Sequence, residues 1–398
     1  MGPVFVIGTC DTKGEELRFA RDCVMRAGAQ AILVDVSTGG SDNRADVSAA
    51  TVAACHPDGK IAVLGKADRG TAVAAMGEAL AEFLNQQKSI GAVLGLGGSG
   101  NTSIVTRAMR ALPVGVPKVM ISTLASGDVS GFVGPTDIAM MHSVADVAGL
   151  NAITRKVISN GAHAAAGMAM HDTAIETATR PAIGMTMFGV TTAAITAIRS
   201  HLEPANECFV FHATGSGGQS FEKLAESGFF SGVIDLTTTE VADHVCGGIL
   251  ACTADRFGAF IRHPLPYAGS VGACDMVNFG ARQTVPARYE HRQFHVHNPH
   301  VTLMRTTVEE NQRIGKFIVD QLNQMSGPLR FLLPLGGLSA IDAPGQVFHD
   351  PQADAALFES IRQNWQPAPN RQLIETQAHI NDPAFAALTV QHFNAIRN

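Results

Sequence analysis

Val4-Phe5-Val6-Ile7-Gly8-Thr9-Cys10-Asp11-Thr12-Lys13-Gly14-Glu15-Glu16-Leu17 is the stretch whose reading decides the fold. Val4 to Ile7 form a short continuous apolar run, the pattern of a strand buried on both faces of a parallel sheet. A tight polar loop follows, and from Glu15 the apolar residues Leu17, Ala20, Val24 and Ala27 recur at helical spacing. The loop from Gly8 to Gly14 therefore joins the carboxyl end of a first strand to a first helix, the place where open α/β sheets bind ligands. Glycines let a ligand approach the backbone, N–H groups at a helix start attract anions, and Lys13 adds positive charge. This chemistry points to a phosphate-bearing or otherwise anionic small molecule. The GxxxxGK[ST] pattern of a Walker loop is absent here. A structural role stands beside the functional one: Thr12 as N-cap, with Glu15 three residues on, would make a capping box.

Working outward, residues 31–36 read as a second buried strand, with a polar connection from Gly39 to Gly59. A helix is expected over 71–85 and a strand over 90–96, which runs into Gly97-Gly98-Ser99-Gly100-Asn101-Thr102. Another strand is expected over 117–123 and a long Ala-rich helix over 149–170. The layout recurs after residue 182: strand 182–187, helix 192–202, strand 208–213, then Thr214-Gly215-Ser216-Gly217-Gly218 and a helix starting near Phe221. Strand, Gly-rich turn and helix in alternation predict the α/β class. We expect two Rossmann-like subdomains, 1–175 and 176–398, with largely parallel sheets and a cleft between them. Residues 241–288, rich in Gly, Pro and Cys, read as loops over that cleft. Beyond them come an extended stretch (288–307), a helix (308–325) and a strand (331–335) with a third Gly-rich turn, Gly336-Gly337-Leu338-Ser339. Two final helices, 353–365 and 383–396, flank a last strand near 372–375.

Bulk properties exclude several classes. A length of 398 residues suits two domains. Hydrophobic residues at 46% and charged ones at 16% leave no sign of disorder. A net charge of −6, with no Lys/Arg cluster, argues against nucleic acid. No apolar run reaches the roughly 18 residues a membrane span needs, and residues 4–7 lack the basic lead-in of a signal peptide. Met1-Gly2 is not expected to be a lipidation site, because Val6 stands at the sixth position, where Ser or Thr is expected. The seven cysteines are scattered and form no CxxC pair, as expected of reduced thiols in a cytoplasmic protein.

Four further constellations carry candidate chemistry. Gly95-x-Gly97-x-x-Gly100 has dinucleotide-loop spacing, but the acidic ribose partner about 20 residues on is missing and Lys118 lies in that region, which disfavours NAD. Gly98, Ser99, Gly100 and Asn101 could cradle a phosphate or carboxylate, or form a close-packed turn. His212 precedes Thr214–Gly218 and is either a general base or a hydrogen-bonded core residue. His291, His295, His297 and His300 cluster; on a strand, His295 and His297 would share a face and could hold a transition metal, though no third ligand follows. Asp275 and Glu240 are candidate carboxylates of the second half, Glu240 being equally a favourable first-turn charge. Cys246 and Cys274 read as buried hydrophobes.

Five motifs together resemble a known family: Gly8 to Leu17, Gly95-Leu96-Gly97-Gly98-Ser99-Gly100-Asn101-Thr102, His212 to Gly218, Asp275-Met276-Val277-Asn278-Phe279-Gly280, and His297 to Thr307. The chain is similar to the bacterial relatives of the ATP-binding inhibitory domain of the plant tomato mosaic virus resistance protein. That resemblance implies a two-subdomain Rossmann-like architecture, ATP at the first subdomain and a homodimer. It implies no established reaction. In longer relatives a TIM-barrel domain follows, so a separate TIM-barrel partner is expected here. With magnesium bridging the phosphates, the expected nucleotide contacts are Gly8, Thr9, Asp11, Thr12, Lys13, Gly14, Gly97, Gly98, Ser99, Gly100, Asn101 and Thr102. A small acidic metabolite is expected in the cleft at Thr214, Gly215, Ser216, Gly217, Gly218 and Glu240, with Lys13, Asp11, His212, Asp275 and His297 as candidate catalytic groups. Three functions remain open: an ATP-dependent enzyme on a small carboxylate, a non-catalytic ATP-binding regulatory module, and a metal- or acid/base-dependent lyase or hydrolase without ATP turnover.

Overall fold

The computed structural model describes residues 2–39, 44–66, 68–171 and 180–397. The chain divides into two units, Met1–Ala174 and Ile175–Asn398. In chain order the first holds β1 (Val4–Gly8), α1 (Cys10–Arg26), β2 (Ala31–Asp35), α2 (Ala49–Ala53), α3 (Ile61–Leu64) and α4 (Arg69–Asn85). It continues with β3 (Ala92–Gly97), α5 (Ser99–Ala111), β4 (Lys118–Ser122), α6 (Ser130–Val133), β5 (Ala139–His142) and α7 (Ala152–Met170). Its five strands are all parallel, in the order β2-β1-β3-β4-β5. The chain starts in mid-sheet, steps out to β2 and returns past β1 to β3. The order reverses between β1 and β3, and the crevice at their carboxyl ends is where such sheets bind ligands.

The unbroken apolar run of β1 is explained by its two faces. Phe5 and Ile7 pack into one core with α4 and α5 residues such as Met76, Leu80 and Ile104. Val4 and Val6 pack into the other with Leu17 and Val24 of α1 and Ala162 of α7. Gly95 inside β3 permits this close packing, since a Cβ there would lie 2.7 Å from Val105 of α5 and 2.6 Å from Met120 of β4.

The second unit holds β6 (Ala182–Met187), α8 (Thr192–Leu202), β7 (Glu207–His212), α9 (Ser216–Glu226), β8 (Gly232–Thr237), α10 (Thr239–Cys246), α11 (Gly258–Arg262) and β9 (Tyr267–Gly272). There follow β10 (Met276–Phe279), β11 (Phe294–Asn298), β12 (Val301–Arg305), α12 (Val308–Leu322), β13 (Leu329–Pro334), α13 (Pro351–Asn364), β14 (Arg371–Thr376) and α14 (Pro383–Arg397). Six parallel strands run β14-β13-β9-β8-β6-β7, so β6 is flanked by β7 and β8 just as β1 is by β2 and β3. A small antiparallel sheet, β10-β12-β11, lies outside this repeat. The α/β class with Rossmann-like parallel sheets is therefore shown. Among the described residues no helix is long and apolar enough to cross a membrane.

Three local readings are corrected. A first helical turn of α1 starts at Cys10, with Thr9 at the N-cap and no side-chain cap, and non-helical Lys13 (φ −128°, ψ 21°) kinks it before the helix continues from Gly14, close to the expected start at Glu15; the expected Thr12/Glu15 capping box does not form among the described residues. Helix α9 starts at Ser216, so the Gly-rich turn is itself the first helical turn. Residues 241–288 are not loops alone, because β9 is an interior strand paired with β8 and β13. Its Tyr-Ala-Gly-Ser-Val-Gly sequence hides it from any apolar count. The small residues are demanded by neighbours: a Cβ on Gly269 would meet Tyr267 at 2.5 Å, and one on Gly272 the Leu236 carbonyl at 2.6 Å.

Candidate functional site

A pocket of about 540 Å³ opens at the carboxyl ends of β1 and β3, a volume within the usual range for a small-molecule site. Its walls are Thr9, Asp11, Thr12 and Lys13 from the start of α1, and Gly98, Ser99, Gly100 and Asn101 from the start of α5. The two glycine-containing loops singled out from sequence thus share one pocket, because they follow the two strands that border the order reversal. Sequence reading missed a third wall: Thr38 and Gly39 after β2, Lys66 and Arg69 at the α3–α4 corner, and apolar Ala72, Val73 and Ile104. The 3.6-residue repeat of α4 placed its helix but gave no sign that its first turn faces the β1 loop.

The two helix starts differ in what they offer. At α1, Cys10 donates its N–H to Asp35 Oδ1 (3.0 Å) and Asp11 donates its own to Ser37 Oγ (3.1 Å). Thr12 and Lys13 both donate to the Thr9 carbonyl. Those N–H groups are spent, and α1 presents side chains instead: the paired hydroxyls of Thr9 and Thr12 (3.0 Å apart), Asp11 and Lys13. At α5 no side chain caps the first turn, which leaves its N–H groups for an anion. Lys13, Lys66 and Arg69 have no ion pair among the described residues and face a single pocket carboxylate, Asp11.

The other expected contacts act from behind the wall. Gly8 is held against Leu17, and Gly97 takes φ +151° beside Asn101. Thr102 bonds the Gly98 carbonyl (2.9 Å) and Ser122 (2.8 Å). The Asn101 amide donates to the Leu96 carbonyl at 2.5 Å, so its side chain fastens α5 to β3. Gly8, Gly14, Gly97 and Thr102 are not among the lining residues. Asp35, at the end of β2 where a dinucleotide fold keeps its ribose-binding acid, commits Oδ1 to Cys10 N–H, Ser37 N–H and Ser37 Oγ.

In the second unit the expected substrate turn is already engaged. Glu240 Oε1 accepts N–H bonds from Gly215 (2.6 Å) and Gly218 (3.0 Å). Its other oxygen meets buried Arg256, which also pairs with Asp235 and Glu222 at 2.8 Å each. Burial raises both Glu240 and Glu222, with Arg256 opposing. Thr214 and Ser216 flank this arrangement, and a Cβ on Gly217 would strike the His212 carbonyl. His212 stacks on Phe188 with centroids 5.0 Å apart, and burial lowers its pKa.

Asp275 is fully buried; Ser339 Oγ donates to its Oδ2 at 2.8 Å while Oδ1 has no hydrogen-bond partner among the described residues. Burial raises its pKa, the neighbouring Asp342 raises it further and Arg305 opposes. His297 is exposed on β11, in the bulge between Val296 and Asn298 that breaks simple alternation. The His295 and His297 rings stand 6.5 Å apart, and no group of three or more His, Cys, Asp or Glu able to hold a metal occurs among the described residues. No hydrogen bond or ion pair joins His212, Asp275 and His297 to one another among the described residues.

Comparison with known proteins gives the same relatives over both units. The N-terminal domain of the Uncharacterised protein family (UPF0261) matches residues 2–174, and its C-terminal domain matches 180–397. A UPF0261 protein of Rhizobium meliloti is 54% identical over 398 residues, covering all of both chains. One of Clostridium tetani is 42% identical over 388 residues, 96% of each. The ToMV resistance protein Tm-1(GCR237) of Solanum lycopersicum is 41% identical over 415 residues, spanning 98% of this chain and 55% of its own length. The likeness read from the five motifs thus extends over nearly the whole chain, which belongs to the Uncharacterised protein family (UPF0261) through both of its domains.

Proposed function

We propose that the first unit binds a nucleotide, ATP with magnesium, in the pocket between the β1 and β3 loops, and that the protein acts on a small acidic metabolite. One observation carries this reading: three cations with no ion pair among the described residues and an uncapped helix start surround a pocket of nucleotide-compatible size. In a protein of net charge −6, three cations without an ion pair among the described residues around one crevice suit an anion there. The residues present fit magnesium as well. Asp11 is the one carboxylate lining the pocket among the described residues and is the residue to hold the ion, with Thr9 and Thr12 hydroxyls beside it. Bound there, the ion would neutralise phosphate charge. Lys13 would orient the phosphate chain and stabilise charge developing on it. The engaged Asp35 supports ATP over NAD.

The test is a thermal-shift and calorimetric titration of the purified protein with ATP, ADP, AMP and NAD, with and without magnesium. Stabilisation by ATP with magnesium, lost in Lys13→Ala, supports the reading. No response to any nucleotide overturns it. The homodimer and the separate TIM-barrel partner implied by the resemblance belong to the same proposal; light scattering of the nucleotide-loaded protein tests the first.

A second reading, acid/base chemistry in the second unit without ATP turnover, is favoured by Asp275, a buried carboxyl with one oxygen unpartnered and its pKa raised. The regulatory-module reading draws on the tomato relative, whose name describes resistance rather than catalysis. Turnover of ATP with any small carboxylate separates an enzyme from such a module.

A further inference from the structure

Lys66 and Arg69 were not visible as site residues from the sequence, and the nucleotide reading uses them only as positive charge in the pocket, without assigning either to a particular phosphate. Both line the pocket, and neither has an ion pair among the described residues. They sit at the start of α4, yet this helix start is no anion site of its own. Asp68 is its N-cap and accepts the Thr71 N–H (2.8 Å) and hydroxyl (2.6 Å). Those bonds hold the Asp68 carboxyl below the usual range, so it stays ionised. Any attraction for anions at this corner therefore comes from the two cationic side chains, against the field of Asp68.

The start of α5 is the opposite case, with fixed backbone N–H groups and no cap. The two places are joined along α4. A Cβ on Gly100 would lie 4.0 Å from Val73 Cγ2, so Val73 stands beside the first turn of α5. Arg69 is four residues before Val73, about one helical turn or 5.4 Å further along the axis. Ala72 lies between them on the pocket wall. An anion seated on the α5 N–H groups is thus about one helical turn short of Arg69. A chain of linked phosphates running from the α5 N–H groups along this wall would carry its terminal phosphate toward Arg69 and Lys66.

We propose that Arg69, with Lys66, reads the length of the ligand's phosphate chain, selecting a nucleoside triphosphate over a monophosphate. The proposal rests on the nucleotide reading above and adds which residues discriminate. The α5 start takes a phosphate common to all forms of the ligand, and the α3–α4 corner takes the terminal one. Arg69 is a specificity-determining residue in this scheme, and Lys66 supports it as a second point charge.

The experiment is calorimetric titration of ATP, ADP and AMP with magnesium at fixed ionic strength, on wild type, Arg69→Ala, Arg69→Lys, Lys66→Ala and the control Arg107→Ala. Arg107 pairs with Glu78 at 3.1 Å, and neither residue lines the pocket. Loss of a charge-assisted contact should weaken ATP binding by about tenfold or more in Arg69→Ala. AMP binding should change less than about twofold, Arg69→Lys should recover part of the loss, and Arg107→Ala should match wild type. Melting temperatures of the Arg69 and Lys66 variants without ligand should equal that of wild type, since neither residue has a hydrogen-bond or ion-pair partner among the described residues. An unchanged ATP-to-AMP affinity ratio in Arg69→Ala overturns the proposal and leaves the nucleotide reading standing. Wild-type protein that binds none of the three nucleotides overturns both.

Discussion

Glu240 holds the backbone N–H of Gly218 at 3.0 Å, and a Cβ on Gly218 would lie 2.0 Å from the other oxygen of that carboxylate. The start of α9 thus carries its own anion, in a turn whose sequence resembles a ligand loop. Glu240 cannot swing aside, because Gly215 N–H and Arg256 Nε grip it in a fully buried site. Gly218→Ala should therefore destabilise the second unit by about 3 kcal/mol or more, as expected when a buried charge pair is forced apart. Calorimetry should show a transition lowered by roughly 6–12 °C at 2–4 °C per kcal/mol. An unchanged transition would mean that the carboxylate is free to move and the turn open to a substrate.

Lys13→Ala and Asp11→Ala address the nucleotide directly. Neither side chain has a hydrogen-bond or ion-pair partner among the described residues. The melting temperature of the free protein should stay within about 2 °C, a change typical of surface substitutions. Affinity for ATP with magnesium should fall about tenfold in Lys13→Ala. In Asp11→Ala the advantage conferred by magnesium should vanish while metal-free binding persists. Titration with and without the ion measures both.

Gly98 and Gly97 are adjacent, yet they should respond in opposite ways. A Cβ on Gly98 meets nothing nearer than Thr123 Oγ1 at 3.9 Å, so Gly98→Ala should fold normally. Its methyl group would stand at the uncapped start of α5 and should weaken ATP binding by about tenfold, the worth of one lost charge-assisted contact. Gly97 has φ +151° and would press a Cβ to 3.0 Å from Asn101, so Gly97→Ala should lower the melting temperature itself. Normal ATP affinity in Gly98→Ala would remove α5 from the site.

Asp275 contributes to a pH dependence of the second unit that it shares with Asp243 and Asp354, buried carboxyls whose pKa values burial also raises. Burial and the charge of Asp342 raise the pKa of Asp275 to about 7, Arg305 opposing. A carboxyl raised in the folded state keeps its proton to higher pH than in the unfolded chain. Its contribution is therefore full below the unfolded value near 4 and is lost as pH climbs through about 7. Wild-type protein should lose stability across that window, and Asp275→Asn should flatten the slope. Melting curves from pH 4 to 8 would show it; parallel curves would place Asp275 outside the titration.

The sequence alone determined the α/β class, the two-part chain and the position of most elements, because these follow from local periodicity. Val4–Ile7 reads as a doubly buried strand whatever its neighbours are, and the amphipathic repeat of α12 needs no partner to be recognised. It also marked Thr9–Lys13 and Gly98–Asn101 as candidate ligand loops, and both line one pocket, since strand-to-helix turns are recognisable locally. Tertiary structure decided what sequence could not. The crossover from β2 past β1 to β3 set the two loops against one pocket, and the packing of α4 on α5 carried Lys66 and Arg69 to its rim. The same kind of packing turned Asp35 and Glu240 inward to satisfy backbone N–H groups. It also made β9, whose small residues look like a loop, an interior strand. In each case the deciding contact joins residues distant in the chain, and no local pattern encodes which donor a buried carboxylate will meet.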